Sequence, residues 1–262
     1  MEKLFIIKIG GNVIDNKDSL RSFLKDFSLV KGKKILVHGG GKIATSVGEK
    51  LGIQSKYVDG RRITDDQTID LVTMVYGGLV NKRITALLQS LNCNAIGLSG
   101  ADANLIPARK REIKNIDYGW VGDINEAEID AERWKLILDN GMVPVVAPLT
   151  HDGGGFMLNT NADTIASVLS VSLSKHYAVS LVFCFEKNGV LLDANDENST
   201  ISKLTFNDYL SLTKSNKLFA GILPKIDNAF DAINKGVKEV IIGNSLHLTS
   251  LISGKGGTKI SN

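Results

Sequence analysis

Cysteine is scarce: two residues in a chain of 262. Cys93 and Cys184 each lie in a strand-like apolar run. They read as buried small hydrophobes rather than a disulfide, and a reducing, cytoplasmic setting is the expectation. An excess of one charge is missing too, since 31 Lys and Arg face 28 Asp and Glu for a net charge of +3. The densest basic stretch is only Arg109-Lys110-Arg111. Nucleic-acid binders concentrate basic charge on one face, so no nucleic-acid partner is expected. No apolar stretch approaches the ~18 residues that span a bilayer. Glu2 and Lys8 interrupt what would be the apolar core of a signal peptide, so neither a leader nor a membrane partner is read. Proline occurs four times against 26 glycines, and there is no repeat or low-complexity tract to mark a linker. What is present is ordinary globular material, 43% hydrophobic and 23% charged. A chain of this length buries about 70–75% of its unfolded surface, enough to fold without staples.

Apolar runs of strand length alternate with segments of helical period. Leu4–Ile9, Ile35–Val37, Ala95–Leu98, Val143–Ala147, Val179–Phe185 and Val237–Ile242 are mostly continuous in apolarity, as strands buried on both faces of a parallel sheet are. Amphipathic stretches separate them, at Leu20–Phe27, Ile43–Leu51, Ile69–Leu91, Trp134–Leu138, Ile165–Leu173 and Ile226–Ile233. The alternation predicts an α/β sandwich around a mainly parallel sheet. The polar segment Asp193–Thr200 reads as a surface loop.

The glycines cluster where strands meet helices. In Lys8-Ile9-Gly10-Gly11-Asn12 a lysine sits inside an apolar strand, a costly place for a charge unless an anion meets it. The two glycines free the backbone to approach a ligand with its N–H groups. A strand-end turn with Lys8 snorkelling to solvent is the other reading. His38-Gly39-Gly40-Gly41-Lys42 places successive glycine N–H groups at a helix start, a ready anion site. It fits neither the Walker A spacing nor Gly-x-Gly-x-x-Gly, and His38 alone reads as a packed strand-end residue. Asn159-Thr160-Asn161-Ala162-Asp163 opens a third helix. Capping explains one or two of these polar side chains but not readily all three. Lys225, just after Pro224, stands at the positive end of a helix dipole, a placement unfavourable by roughly 0.3–1 kcal/mol unless an anion or solvent meets it. Arg62 precedes a helix that Thr64 would cap, and suits a carboxylate clamp.

Together these segments resemble the amino-acid kinase family, in order and over nearly the whole chain. The resemblance is carried by Ile7-Lys8-Ile9-Gly10-Gly11, Val37-His38-Gly39-Gly40-Gly41, Asp59-Gly60-Arg61-Arg62-Ile63-Thr64-Asp65 and Gly97-Leu98-Ser99-Gly100. It continues through Gly119-Trp120-Val121-Gly122, Pro144-Val145-Val146-Ala147-Pro148 and Leu158-Asn159-Thr160-Asn161-Ala162-Asp163. It ends with Gly221-Ile222-Leu223-Pro224-Lys225 and Gly257-Thr258-Lys259-Ile260.

The resemblance implies a three-layer αβα sandwich with two lobes, residues 1–172 for an N-acyl-glutamate and 173–262 for ATP. It implies transfer of the γ-phosphoryl group to the substrate's side-chain carboxylate on the route to arginine, with an acetyl or a succinyl acyl group. Lys8 and Lys225 would stabilise the transferring group, oriented by Asp163. The N–H groups of Gly10, Gly11, Gly40 and Gly41 would line the phosphoryl path. Arg62, Asn159 and Asn161 would hold the N-acyl-glutamate, and Glu186, Gly189 and Gly221 the nucleotide. Glu186 stands where relatives usually carry the second residue of a Thr-Asp pair. Mg²⁺ would arrive with ATP and need no metal site built from side chains. Arg61 stands where an uncharged residue is common, and it reads as a surface residue or as a partner for a second carboxylate on the acyl group. Relatives inhibited by arginine carry an extra N-terminal helix, whereas the first strand here begins by Lys3 or Leu4. A homodimer that arginine does not inhibit is therefore expected. Phosphorylation of glutamate, aspartate, carbamate or a nucleoside monophosphate is the rival within the family, and a non-catalytic ligand sensor the rival outside catalysis.

Overall fold

The computed structural model describes residues 1–261 apart from 194, 216, 217 and 219–221. The six apolar runs form β1 (Lys3–Ile9), β2 (Lys33–His38), β3 (Ala95–Leu98), β4 (Val143–Val146), β5 (Ala178–Phe185) and, two residues later than its apolar run suggests, β7 (Glu239–Asn244). Two short strands of the main sheet escape the sequence pattern, β6 (Lys203–Leu204) and β8 (Thr258–Ile260). All eight join one sheet in the order β6-β8-β7-β5-β1-β2-β4-β3. Every neighbouring pair is parallel except β7 and β8.

Helices supply the crossovers. α1 (Gly11–Asp15) and α2 (Lys17–Leu29) follow β1, and α3 (Gly41–Lys50) follows β2. A long helical run before β3 consists of α4 (Asp66–Val72), a π-helical stretch (Thr73–Val80) and α5 (Asn81–Ser90). Then α6 (Ala131–Asp139) precedes β4, α7 (Ala162–Leu173) precedes β5, α8 (Phe206–Lys214) and α9 (Leu223–Asn234) precede β7, and α10 (Leu248–Ile252) precedes β8.

Side chains on a strand alternate between faces, and β1 divides the core accordingly. Phe5, Ile7 and Ile9 pack under α2, α4, the π-helical stretch and α10. Leu4 and Ile6 pack with Trp134 of α6, Ile165 and Leu169 of α7, and Ile226 of α9. The result is three layers, helix on sheet on helix, as expected. Both cysteines are buried and free. Among the described residues no helix is long and apolar enough to cross a membrane.

The strand order also locates a crevice. From β1 the chain moves to β2 on one side, and from β5 to β7 on the other. Such a switch point opens a gap beyond the carboxyl ends of the central strands, where ligands of open α/β sheets bind.

Candidate active site

Lys8 continues the Leu4, Ile6 series of β1, so its side chain rises on the face covered by α7 and α9. There it meets Asp163 in the first turn of α7, with Nζ 2.7 Å from Oδ1. Lys225, in the first turn of α9, places its own Nζ 2.7 Å from Oδ2 of the same carboxylate. One carboxylate thus holds two cations from different layers of the fold. Burial alone would raise the Asp163 pKa, but the combined attraction of Lys8 and Lys225 prevails and holds it down to about 2. The Asp163 carboxyl is therefore ionised at any physiological pH, and the trio carries a net positive charge facing the crevice.

The turns beside it are built from backbone. Gly10 is the N-cap of α1, and no side chain caps the N–H groups there. Gly39 donates its N–H to the Ile9 carbonyl at 3.2 Å, which ties the second turn to the end of β1. Gly40 has φ +155°, and a Cβ there would come within 3.0 Å of the Tyr76 ring, so no other residue fits without strain. A Cβ on Gly41 would meet nothing within 4 Å, which leaves open space before the N-terminus of α3.

Arg62 is buried, and its guanidinium stands over the Tyr57 ring. It donates to the Gly41 carbonyl and to Thr45 Oγ1, each at 2.9 Å, and to Ser55 Oγ. A guanidinium has five donors, so Arg62 stays fixed beside Gly41 with N–H groups to spare for a carboxylate. Asn159 lies half-buried at the end of the strand Met157–Asn159. Its Nδ2 donates to Thr64 Oγ1 at 3.0 Å, leaving the amide oxygen to accept. Thr64 is not a helix cap: Asp65 is, accepting from the Thr68 N–H at 2.9 Å, while Thr64 is buried between Arg62 and Asn159. Ser55 and Thr45, which help orient Arg62, carry no signal in the sequence. Common hydroxyl residues gain their meaning only from long-range contact.

The remaining assignments fare differently. The Asn161 side chain caps α7, accepting from the N–H groups of Asp163 at 2.7 Å and Thr164 at 3.2 Å. Its oxygen is thereby engaged in the cap, which does not use the amide nitrogen. Glu186 is exposed just past β5 at the crevice, and its backbone carbonyl accepts from Asn244 at 3.0 Å. Gly189 is buried, and a Cβ there would stand 2.6 Å from Thr258 Oγ1, so packing against β8 explains the glycine. Gly221 lies outside the described residues. Arg61 precedes Arg62 on the short strand Arg61–Arg62 but joins a different surface, an open cavity of about 790 Å³ lined also by Arg109, Lys110, Arg111 and Lys114. Neither Arg62 nor Asn159 lines that cavity.

The sequence profile of the amino acid kinase family matches residues 3–244. An acetylglutamate kinase of Cytophaga hutchinsonii is 55% identical over 254 residues, covering 97% of this chain and 96% of its own. Another, of Methanopyrus kandleri, is 37% identical over 255 residues, covering 96% and 98%. Among solved structures, N-acetylglutamate synthase from Neisseria gonorrhoeae, complexed with coenzyme A and N-acetyl-glutamate, matches with a TM-score of 0.82 at 22% identity. That match takes in 100% of this chain and 59% of the synthase. Giardia carbamate kinase matches with a TM-score of 0.70 at 14% identity, over 99% and 98%. At these identities the two structures show a shared fold and nothing further.

Proposed function

The chain belongs to the amino acid kinase family and, within it, to the acetylglutamate kinases, and on that premise we propose how its residues transfer the γ-phosphoryl group of ATP to the side-chain carboxylate of an N-acyl-glutamate. The observation that carries the reading is the single carboxylate of Asp163 held between Lys8 and Lys225. Phosphoryl transfer asks a protein for positioning and charge neutralisation rather than covalent help. The two ammonium groups neutralise the oxygens of the transferring group, and Asp163 keeps them apart and oriented. A side-chain carboxylate with a pKa of about 4.3 is ionised at neutral pH, so the nucleophile needs no general base. Its oxygen forms the new bond to the γ-phosphorus as the bond to the bridging oxygen breaks, and ADP leaves with that electron pair. N–H groups of the Gly10-Gly11 and Gly40-Gly41 turns line the path. Arg62 takes the substrate's α-carboxylate, and Asn159 accepts from its amide N–H.

In this reading residues 1–172 hold the acyl-glutamate and 173–262 hold ATP, with Glu186 at the ribose or adenine. Asp163 is already shared by two lysines. Mg²⁺ would come with ATP and would help neutralise its phosphate charge, a task for which Asp163 is not free. The same reading makes the enzyme a cytoplasmic homodimer. Steady-state rates with N-acetyl-glutamate, N-succinyl-glutamate and free glutamate, side by side, test the substrate. A kcat/KM for free glutamate matching that for the N-acyl forms would overturn the assignment of Asn159.

A further inference from the structure

His38 closes β2, is fully buried, and has no part in the chemistry above. Its Nδ1 lies 2.7 Å from the Gly39 carbonyl oxygen, and its Nε2 lies 3.1 Å from Asn81 Nδ2. The Asn81 amide is oriented by other groups. Its Nδ2 is 2.8 Å from the Val145 carbonyl oxygen and 3.5 Å from that of Leu98. Carbonyl oxygens only accept, so the amide nitrogen must face them, and it faces His38 Nε2 as well. Nε2 is then an acceptor. A neutral imidazole in that position carries its one proton on Nδ1 and donates it to Gly39.

Asn81 is otherwise hard to explain. It is buried in a helical run whose neighbours on the inner face, Val80 and Ile84, are apolar. Its Oδ1 has no hydrogen-bond partner among the described residues, and a buried amide oxygen without a donor is unfavourable. That oxygen rests against Gly97, where a Cβ would stand 2.1 Å from it. An apolar residue would avoid the unpaired oxygen, but it could not orient the imidazole.

We propose that His38 and Asn81 are positioning residues for the Gly39–Gly41 turn. A buried chain runs from the Val145 carbonyl through Asn81 and the Nδ1–H form of His38 to the Gly39 carbonyl, and it sets the direction of the N–H groups that follow. The Tyr76 ring braces the turn at Gly40 from the helical side. The catalytic consequence rests on the reading of this turn as part of the phosphoryl path. The hydrogen-bond chain does not.

Two measurements test it. Nitrogen-15 NMR of the imidazole rings in the intact wild-type enzyme, near neutral pH, should show His38 protonated on Nδ1 and bare on Nε2. The chain has only four histidines, and the signal lost in His38→Asn identifies the ring. Protonation on Nε2 would overturn the proposal. In kinetics, His38→Asn keeps an N–H donor close to the place of Nδ1, and His38→Leu keeps only bulk. His38→Leu should lower kcat about tenfold or more with the KM for N-acetyl-glutamate within about threefold, and His38→Asn should keep kcat within about threefold of wild type. Equal losses in both variants, or a rise in KM alone, would refute the positioning role. Should His38→Leu fail to fold, the ring spectrum of the wild type still decides. A wild-type enzyme inactive on N-acyl-glutamates would sink the functional reading and leave the hydrogen-bond chain to that spectrum.

Discussion

Replacing Asp163 by Asn removes one charge and almost no volume, and it strikes the group on which both lysines depend. Lys8 and Lys225 each lie 2.7 Å from an oxygen of this carboxylate, so with the charge gone two neighbouring cations face each other and, at an effective dielectric near 20, repel by roughly 2–4 kcal/mol. The pKa tells a similar story. Asp163 is held down to about 2 from its ordinary value of 3.8, a difference worth about 2–3 kcal/mol of folded-state preference for the charged form. The sign follows: that stabilisation is complete above about pH 4, and it is lost as pH falls through about 2. Asp163→Asn should therefore cost about 2–4 kcal/mol in denaturant unfolding at neutral pH. Its effect on catalysis differs in kind. Two unopposed cations attract the triphosphate at least as well as before, so ATP should bind the variant with equal or greater affinity. The lysines lose their direction, however, and kcat should fall by roughly 10²–10³. Calorimetric titration with ATP and steady-state kinetics separate the two effects. A variant that binds ATP more than about fivefold more weakly with kcat near wild type would refute the reasoning.

Lys8→Ala and Lys225→Ala should each lower kcat by roughly 10²–10³ while KM for the acyl-glutamate moves only a few-fold, and turnover close to wild type removes that lysine from the mechanism. Burial pushes the His38 imidazole down to about 4, against the pull of the Gly39 carbonyl. Since the unfolded chain takes up this proton near pH 6.5, stability present above that pH declines as pH falls towards about 4, by up to about 3 kcal/mol. His38→Asn should flatten that part of the profile in urea titrations, and an unchanged slope would show that another group titrates there. Arg61 faces the basic cavity rather than Arg62, so Arg61→Leu should alter kcat/KM for N-acetyl- and N-succinyl-glutamate equally. A tenfold shift towards the acetyl substrate would instead place a second carboxylate in that cavity.

Continuous apolar runs made the six main strands legible, because a strand covered on both faces cannot show alternation. β6 and β8 were not legible: two and three residues long, and partly polar, they depend on pairing with each other and with β7. Lys8 stood out as a charge in an apolar strand, and Lys225 as a cation at the wrong end of a helix. That both meet Asp163 is a tertiary fact, and no local pattern contains it. Local logic misled at Thr64. Thr64 looked like a cap because a hydroxyl preceded a helix, but Asp65 makes that bond. At Asn161 a cap and a ligand contact read alike: its Oδ1 caps its own helix, and the amide nitrogen is not part of that cap. Gly189 shows the same ambiguity, since a glycine needed for packing reads like one needed by a nucleotide. Asn81 left a weak trace, a lone amide on an apolar helical face, whose meaning emerged only with His38 beside it.

If a carboxylate of an N-acyl-glutamate receives the γ-phosphoryl group of ATP, phosphorus-31 NMR of the running reaction will show it. With the enzyme, ATP, Mg²⁺ and N-acetyl-glutamate, an acyl-phosphate resonance should grow in step with ADP, and hydroxylamine should discharge it to a hydroxamate. ADP accompanied only by orthophosphate, or no turnover at all, would contradict the account.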